Sequence, residues 1–531
     1  MWGQGACHAP SRCCPQAGSA AAHASTHKAA AVDSLAMKCA HQDCPHSARN
    51  VLPLQHRRSG YAAVLSGRAP GSHPASRHPA SARIVLGLAL SLAAVAGLQW
   101  PTRGMAQAVG APQGVVPPRA APPKPTGLSQ LSETESAQPT RAAAAVAVKT
   151  EEGDLGGSDF RIDVPSGENA SGTGARWNRQ LVLYYHGYQP EPEVFRPNPA
   201  TNAPYPPTRL VTQLLQRGYA VAQPGYRSGG WAIATAPGDA DALRHYFSKR
   251  NGSPQRTFIV GQSMGGLLTV LSLEQNPHDY AGGLAICGVL APADAIMQRA
   301  FANRVAFDAF FPGILPDVEH IPAGFHMNDP ATASVVEKAL DAHAAEAALL
   351  RSLADIHTNR GLADVLVFNT FVIQDLRNKA GGNPFDNRNL IYTGTTDDNA
   401  LNARVRRYAA DARALHYVAE YGSPSGNLRR PLLALHTTYD PLVPASTAGY
   451  YDELTRRLGV GDRFVQQYVD RDGHCNVTPE QVGAAFDELV SWSDGGARPE
   501  PGRLPDAAGQ KPVHQEPNAV PTQPKTVGKP Q

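Results

Sequence analysis

The feature that most constrains this chain is a repeated change of hydrophobic period. "QLVLYYHG" (180–187) reads as a strand that ends at a glycine. "TRLVTQLLQRG" (208–218) has apolar residues at helical spacing and stops at Gly218, where a helix C-terminus favours glycine. "YAVAQPGY" is a second strand, and "DADALRHYFSKRNG" (239–252) a second helix with a glycine stop. "RTFIVGQS" and "MGGLLTVLSLEQNP" form a third pair, and "YAGGLAICGVL" (280–290) a fourth strand. The alternation resumes far downstream with "PLLALHTTYD" (431–440), the helix "AGYYDELTRRLG" and "RFVQQYVD" (463–470). "TPEQVGAAFDELVSW" (478–492) closes it, with Thr478 and Gln481 spaced as a capping box. Such alternation produces parallel neighbours, because parallel strands need a crossover connection. The expected fold class is α/β, a doubly wound, mostly parallel sheet.

The break in the alternation, 291–430, is far longer than an ordinary connection. It reads as mainly helical, for example in "ATASVVEKALDAHAAEAALLRSLADI", and is expected to form a cap inserted over one edge of the sheet. The Asn- and Gly-rich "NPFDNRNLIYTG" (383–394) inside it reads as a loop. The α/β core is thus expected in two pieces, 158–290 and 431–495. A Pro- and Ala-rich linker is expected at 109–157 and a disordered Pro-rich tail at 496–531.

Residues 1–108 read as an N-terminal extension carrying an export signal. Ile84–Leu98, "IVLGLALSLAAVAGL", is apolar throughout but shorter than the roughly 20 residues of a spanning helix. Arg77 and Arg83 precede it and "MAQA" (105–108) follows, which is the order of a signal peptide cleaved after Ala108. The distance from Met1 argues for a later true start; an uncleaved N-terminal membrane anchor is the alternative reading. On the export reading the mature protein has no stable membrane span and is periplasmic or extracellular. Five of the seven cysteines lie in 1–80 without two regular knuckles, so no zinc site is expected there. A formal net charge of +3 over 531 residues gives no ground for a nucleic-acid partner.

The chemistry is concentrated at strand ends. A serine hydroxyl needs a base to take its proton, a third group to orient that base, and N–H donors for the oxyanion. "FIVGQSMGGLLTV" presents Ser263 between a strand and a helix, flanked by glycines that let the turn close tightly. Asp440 follows a later strand in "TTYDPLVP", and His474 lies in "YVDRDGHCNVTPE" just before the closing helix. The order Ser263, Asp440, His474 suits a nucleophile, an orienting acid and a base. Asp470 and Asp472 compete with Asp440 but share the loop of His474; His436 lies within its own strand and reads as a packed or supporting residue. The glycine of "YYHGYQP" lets Tyr188 turn its backbone N–H toward the oxyanion, with the N–H of Met264 as second donor.

The set HGY, GQSMGG, YDPLVP and GHCN resembles secreted bacterial α/β-hydrolases of the esterase and serine-peptidase-like superfamily, over about 175–495. The resemblance implies hydrolysis through an acyl-enzyme, with Ser263 attacking, His474 moving the proton and Asp440 orienting His474. The fold hosts many substrates, so the resemblance leaves the substrate open. Cys287 and Cys475 both fall at the sheet's C-terminal edge; in an exported protein they are a candidate disulfide, the alternative being two free buried thiols. Feruloyl esterases and tannases also carry a cysteine beside the catalytic histidine, but there its partner adjoins the nucleophile, where this chain has Gln262.

The function expected is that of a serine hydrolase cleaving a small-molecule or oligomeric carboxylic ester. A peptidase or amidase with the same triad is the first alternative, and a non-catalytic binding module on the same fold the second. No phosphate loop, dinucleotide fingerprint or HExxH is visible, so no cofactor and no metal are expected. Trp231, Phe310 and Phe311 are candidates for lining the substrate pocket or, alternatively, for cap core.

Overall fold

A computed structural model describes residues 146–167, 175–395 and 397–503. In chain order the core begins with β1 (Val148–Leu155), β2 (Ser158–Pro165) and β3 (Gln180–Tyr185). Next come α1 (Arg209–Gln216), β4 (Ala220–Pro224), α2 (Ala236–Asn251), β5 (Arg256–Gln262), α3 (Met264–Gln275) and β6 (Gly282–Ile286). Six helices follow: α4 (Ala293–Phe310), α5 (Pro330–Ala342), α6 (Ala344–Ala354), α7 (Asn359–Ala380), α8 (Asp398–Arg404) and α9 (Ala412–Gly422). The core resumes with β7 (Leu432–Tyr439), α10 (Ser446–Arg457), β8 (Phe464–Asp472), α11 (Pro479–Ser493) and β9 (Gly502–Arg503).

The strands form one nine-stranded sheet in the order β1-β2-β4-β3-β5-β6-β7-β8-β9. The pairs β1–β2 and β2–β4 are antiparallel; every other neighbouring pair is parallel. This is the α/β-hydrolase fold with a largely helical insertion between β6 and β7. Alternate strand residues feed the two faces, as the period of two requires. Val182, Phe258, Leu284 and Leu433 pack with α1 and α11, while Leu181, Ile259, Ala285 and Leu432 join the core that continues into the helical insertion. Residues on both faces are fully buried, so these strands read as near-continuous apolar runs rather than alternating ones.

The ordered fold begins earlier than the sequence suggests. β1, "VKTEEGDL", lies inside the stretch 109–157 expected to be linker, and β1 and β2 form a hairpin closed at Gly156 and Gly157, both at positive φ. β1 is the edge strand and is half-exposed along its length, so charged residues suit it and no apolar run marks it. The far edge is similar. β9 pairs with Gln467 and Tyr468 within the expected tail, and Arg498 donates to the carbonyls of Asp462 (3.2 Å) and Phe464 (2.6 Å). Both edges are held by backbone pairing, which leaves little trace in side-chain pattern. The apolar run at 84–98 and the rest of 1–108 lie outside the described residues. No helix among the described residues is long and apolar enough to cross a membrane.

Within the insertion the stretch 383–394 has no helix or strand. Asparagines order it instead. The fully buried Asn387 donates to the Tyr392 hydroxyl (3.0 Å) and the Arg406 carbonyl (2.9 Å), and accepts from the Tyr408 N–H (2.6 Å).

Candidate active site

The turn from β5 into α3 is as tight as a strand-to-helix junction can be: Gln262 ends the strand and Met264 begins the helix. Ser263 between them sits at φ 54°, ψ −119°, a conformation L-residues seldom adopt. The surrounding glycines make it possible. A Cβ on Gly261 would strike the Gly265 carbonyl, and one on Gly265 would strike the Tyr185 carbonyl of β3. A Cβ on Gly266 would come within 2.5 Å of the Gly288 Cα. The motif's glycines are therefore demanded by backbone proximity, and they push the serine side chain above the sheet edge.

β7 and β8 bring the other two residues to that edge. Asp440 directly follows β7 and is buried. Its Oδ1 accepts the N–H groups of Leu442 and Val443, both at 2.9 Å, and its Oδ2 accepts from His474 Nδ1 at 2.7 Å. Burial alone would raise the Asp440 carboxyl; attraction and hydrogen bonding from His474, with help from the Val443 N–H, hold it below its ordinary value. An ionised carboxylate can only accept, so Nδ1 of His474 carries the proton and Nε2 faces Ser263 Oγ, 2.8 Å away, as an acceptor. The loop bearing His474 is tied back to β7: Gly473 N–H donates to Tyr439 O (2.9 Å), and Thr437 Oγ1 donates to Gly473 O (3.0 Å).

A disulfide joins Cys287, just after β6, to Cys475, next to His474, with 5.2 Å between the Cα atoms. Both cysteines have positive φ, 44° and 54°. The Cys287, His474 and Cys475 ligand atoms lie within 4.8 Å of one another, but the sulfurs are bonded together and both His474 nitrogens are engaged. That chemistry does not suit a metal. Gln262, at the position where feruloyl esterases carry the partner cysteine, instead accepts a hydrogen bond from the Tyr184 hydroxyl.

His436 is buried in β7, with Nδ1 3.0 Å from the Thr437 carbonyl and Nε2 4.0 Å from Asp440 Oδ2. Burial lowers its pKa against the pull of Asp440, so it is a neutral support behind the acid. Asp470 pairs with Arg503 at 3.0 Å rather than with His474.

The end of β3 abuts the serine: a Cβ on Gly187 would lie 3.4 Å from the Ser263 Cβ. Among the described residues no acceptor lies on the N–H of Tyr188 or of Met264. His186 fixes the approach to this turn. Its ring stacks on Tyr226 at 3.9 Å, and Nδ1 donates to the Gly187 carbonyl at 2.7 Å. Burial lowers its pKa to about 4, so it is neutral near pH 7.

Sequence reasoning missed Asp375, on α7 of the insertion. Its Oδ2 accepts from the Tyr188 hydroxyl (2.9 Å) and from the Trp231 N–H (2.7 Å). One carboxylate from the cap thus clamps the two core loops flanking Ser263. A single acid inside a helical run carries no local mark of that contact.

Ser263 opens into a pocket enclosed by the start of α4, by α7 and by the loop after Asp440, about 620 Å³ with its open mouth included. Its walls are mostly apolar, with Val289, Ile296, Met297, Val365 and Phe368 prominent. Trp231 lines it. Phe310 and Phe311 do not; Phe311 is buried against Phe307 at 5.1 Å, and Phe310 packs on the same core.

No family model matches the sequence, and no curated protein matches it. Solved structures align with part of the chain. An acylaminoacyl peptidase in complex with Z-Gly-Gly-Phe-chloromethyl ketone has TM-score 0.35 and 13% identity, over 65% of this chain and 41% of its own. The acylaminoacyl peptidase of Pyrococcus horikoshii gives 0.34 and 11%, over 66% and 41%. An esterase of Pyrococcus furiosus gives 0.34 and 14%, over 71% and 97%. This chain therefore spans about two fifths of the length of the peptidases it matches.

Proposed function

We propose that this protein is a serine hydrolase that cleaves carboxylic esters through an acyl-enzyme. The observation that carries the reading is the unbroken relay Ser263 Oγ–His474 Nε2, His474 Nδ1–Asp440 Oδ2, at 2.8 and 2.7 Å, opening into an apolar pocket. Ser263 Oγ attacks the acyl carbon while His474 Nε2 takes its proton. Asp440 keeps the ring in the reactive tautomer and offsets the charge of the imidazolium. The oxyanion forms against the free N–H groups of Met264 and Tyr188, each worth about 10²–10³ in rate for a well-aimed donor. Collapse expels the alcohol, which leaves with the proton from His474. Water then enters, gives a proton to His474 and attacks the acyl carbon. The acid departs and the proton returns to Ser263.

The Cys287–Cys475 bridge favours an oxidising compartment, which agrees with export. Cell fractionation tests this, and residence of the mature chain in the cytoplasm refutes it. The enzymatic reading is tested with a fluorophosphonate probe, peptide mapping, and matched ester and aminoacyl-amide libraries. Labelling at Ser263 and faster turnover of esters are expected. Absence of label on an accessible Ser263 overturns the mechanism, and a much larger kcat/KM for amides replaces the esterase reading with a peptidase one.

A further inference from the structure

The pocket beside Ser263 holds one charged side chain among the described residues, Arg299, and two buried amides, Asn303 and Asn369. Arg299 and Asn303 stand one turn apart on α4, and Asn369 faces them from α7. Asn303 is 9% exposed and Asn369 5%, and both line the cavity. Each amide offers two N–H donors, so two of them on one cavity wall can receive an acceptor from a ligand. Arg299 gives one donor to the Ala354 carbonyl at 2.6 Å. Among the described residues no Asp or Glu lines the pocket. Asp355, whose charge it feels, is exposed to solvent. Burial works against the Arg299 charge, but a guanidinium keeps its proton.

A cation among apolar walls, whose one acidic neighbour Asp355 is out in solvent, gains from a ligand that brings a negative charge into the pocket. A carboxylate only accepts hydrogen bonds and matches the planar fork of a guanidinium. One guanidinium and two amide donors balance a single negative charge rather than a dianion. We infer that Arg299, Asn303 and Asn369 form a subsite for a carboxylate carried on the non-reacting part of the substrate. The substrate class is then a monoanionic ester: a half-ester of a dicarboxylic acid, or an ester of a hydroxy acid. This deepens the ester-hydrolase reading and rests on it.

The test compares matched substrates in a pH-stat. Monomethyl adipate against methyl hexanoate places the carboxylate on the acyl side; 4-(butanoyloxy)butanoate against butyl butanoate places it on the alcohol side. In at least one pair the anionic ester is expected to have the higher kcat/KM. Arg299→Met should lower the anionic-to-neutral ratio about ten- to hundredfold, the worth of a charge-assisted bond. Arg299→Lys should restore part of it, and Asn303→Asp should lower it by repulsion. Calorimetry of monomethyl adipate with Ser263→Ala supplies a readout independent of turnover, and adding Arg299→Met should abolish that binding. Neutral esters preferred in both pairs, or a ratio unmoved in a folded Arg299→Met protein, overturns the subsite and leaves the hydrolase reading intact. Binding to Ser263→Ala without hydrolysis of any ester by the native protein supports the subsite and overturns the ester reading.

Discussion

Breaking the Cys287–Cys475 bridge should weaken the fold and the Ser263–His474–Asp440 hydrogen-bond relay together. The two cysteines are 188 residues apart, and the loop they close contains the whole helical insertion. Cross-linking a loop of that length restricts the unfolded chain by on the order of 5 kcal/mol in the chain-entropy account. Spread over the about 350 described residues, at about 2.1 cal/mol/K each, this corresponds to a fall in Tm of about 7 °C. The bridge also borders His474. Cys475 adjoins His474, and the 2.8 Å contact to Ser263 depends on where that loop sits. A displacement of about 1 Å at a reacting group costs up to about a hundredfold in rate. The perturbation is the double substitution Cys287→Ser, Cys475→Ser, with native protein in dithiothreitol as a second route. The assays are thermal melting and kcat for a neutral ester. A Tm lowered by several degrees and kcat reduced at least tenfold are expected. A double variant that melts within about one degree of native protein and turns over at the native rate would refute both the loop-entropy estimate and the role given to the bridge.

Asp440→Asn should keep the shape of the site but present the wrong imidazole tautomer, lowering kcat by about 10⁴ with little change in Tm; steady-state kinetics and melting check this. Gly266→Ala places a Cβ 2.5 Å from the Gly288 Cα and should destabilise by about 1–3 kcal/mol through overpacking, measured by urea denaturation. His186 should contribute to acid lability. The unfolded chain takes up its proton near pH 6.5 and the native protein only near pH 4, so stability falls as pH drops through that window, by up to about 3 kcal/mol. In His186→Gln that part of the slope should vanish when denaturation midpoints are compared at pH 7 and pH 4.5.

Much of the core was legible because it is written in local chemistry. Glycine-terminated apolar runs marked β3 to β6, and the capping box at Thr478 and Gln481 marked the start of α11. Ser263, Asp440 and His474 were legible because each follows a strand, and parallel strands deliver their C-terminal ends to one edge of the sheet. β1 and β9 were not, because edge strands pair through backbone groups and carry polar or very short sequences. Asp375 was equally silent: its partners, Tyr188 and Trp231, lie more than 140 residues away along the chain.

The sequence by itself determined the order of strands and helices, the glycines that allow the turn at Ser263, and the three residues of the relay. Each is a matter of period, of backbone conformation or of position after a strand. Tertiary structure alone decided which cysteine sulfurs meet, which cap carboxylate holds the loop of Tyr188, and that Trp231, not Phe310 or Phe311, faces the pocket. It also gathered Arg299, Asn303 and Asn369 around one cavity. Those outcomes depend on how the inserted helices pack over the sheet. Such packing is set by contacts between residues far apart in the chain, which no local pattern records.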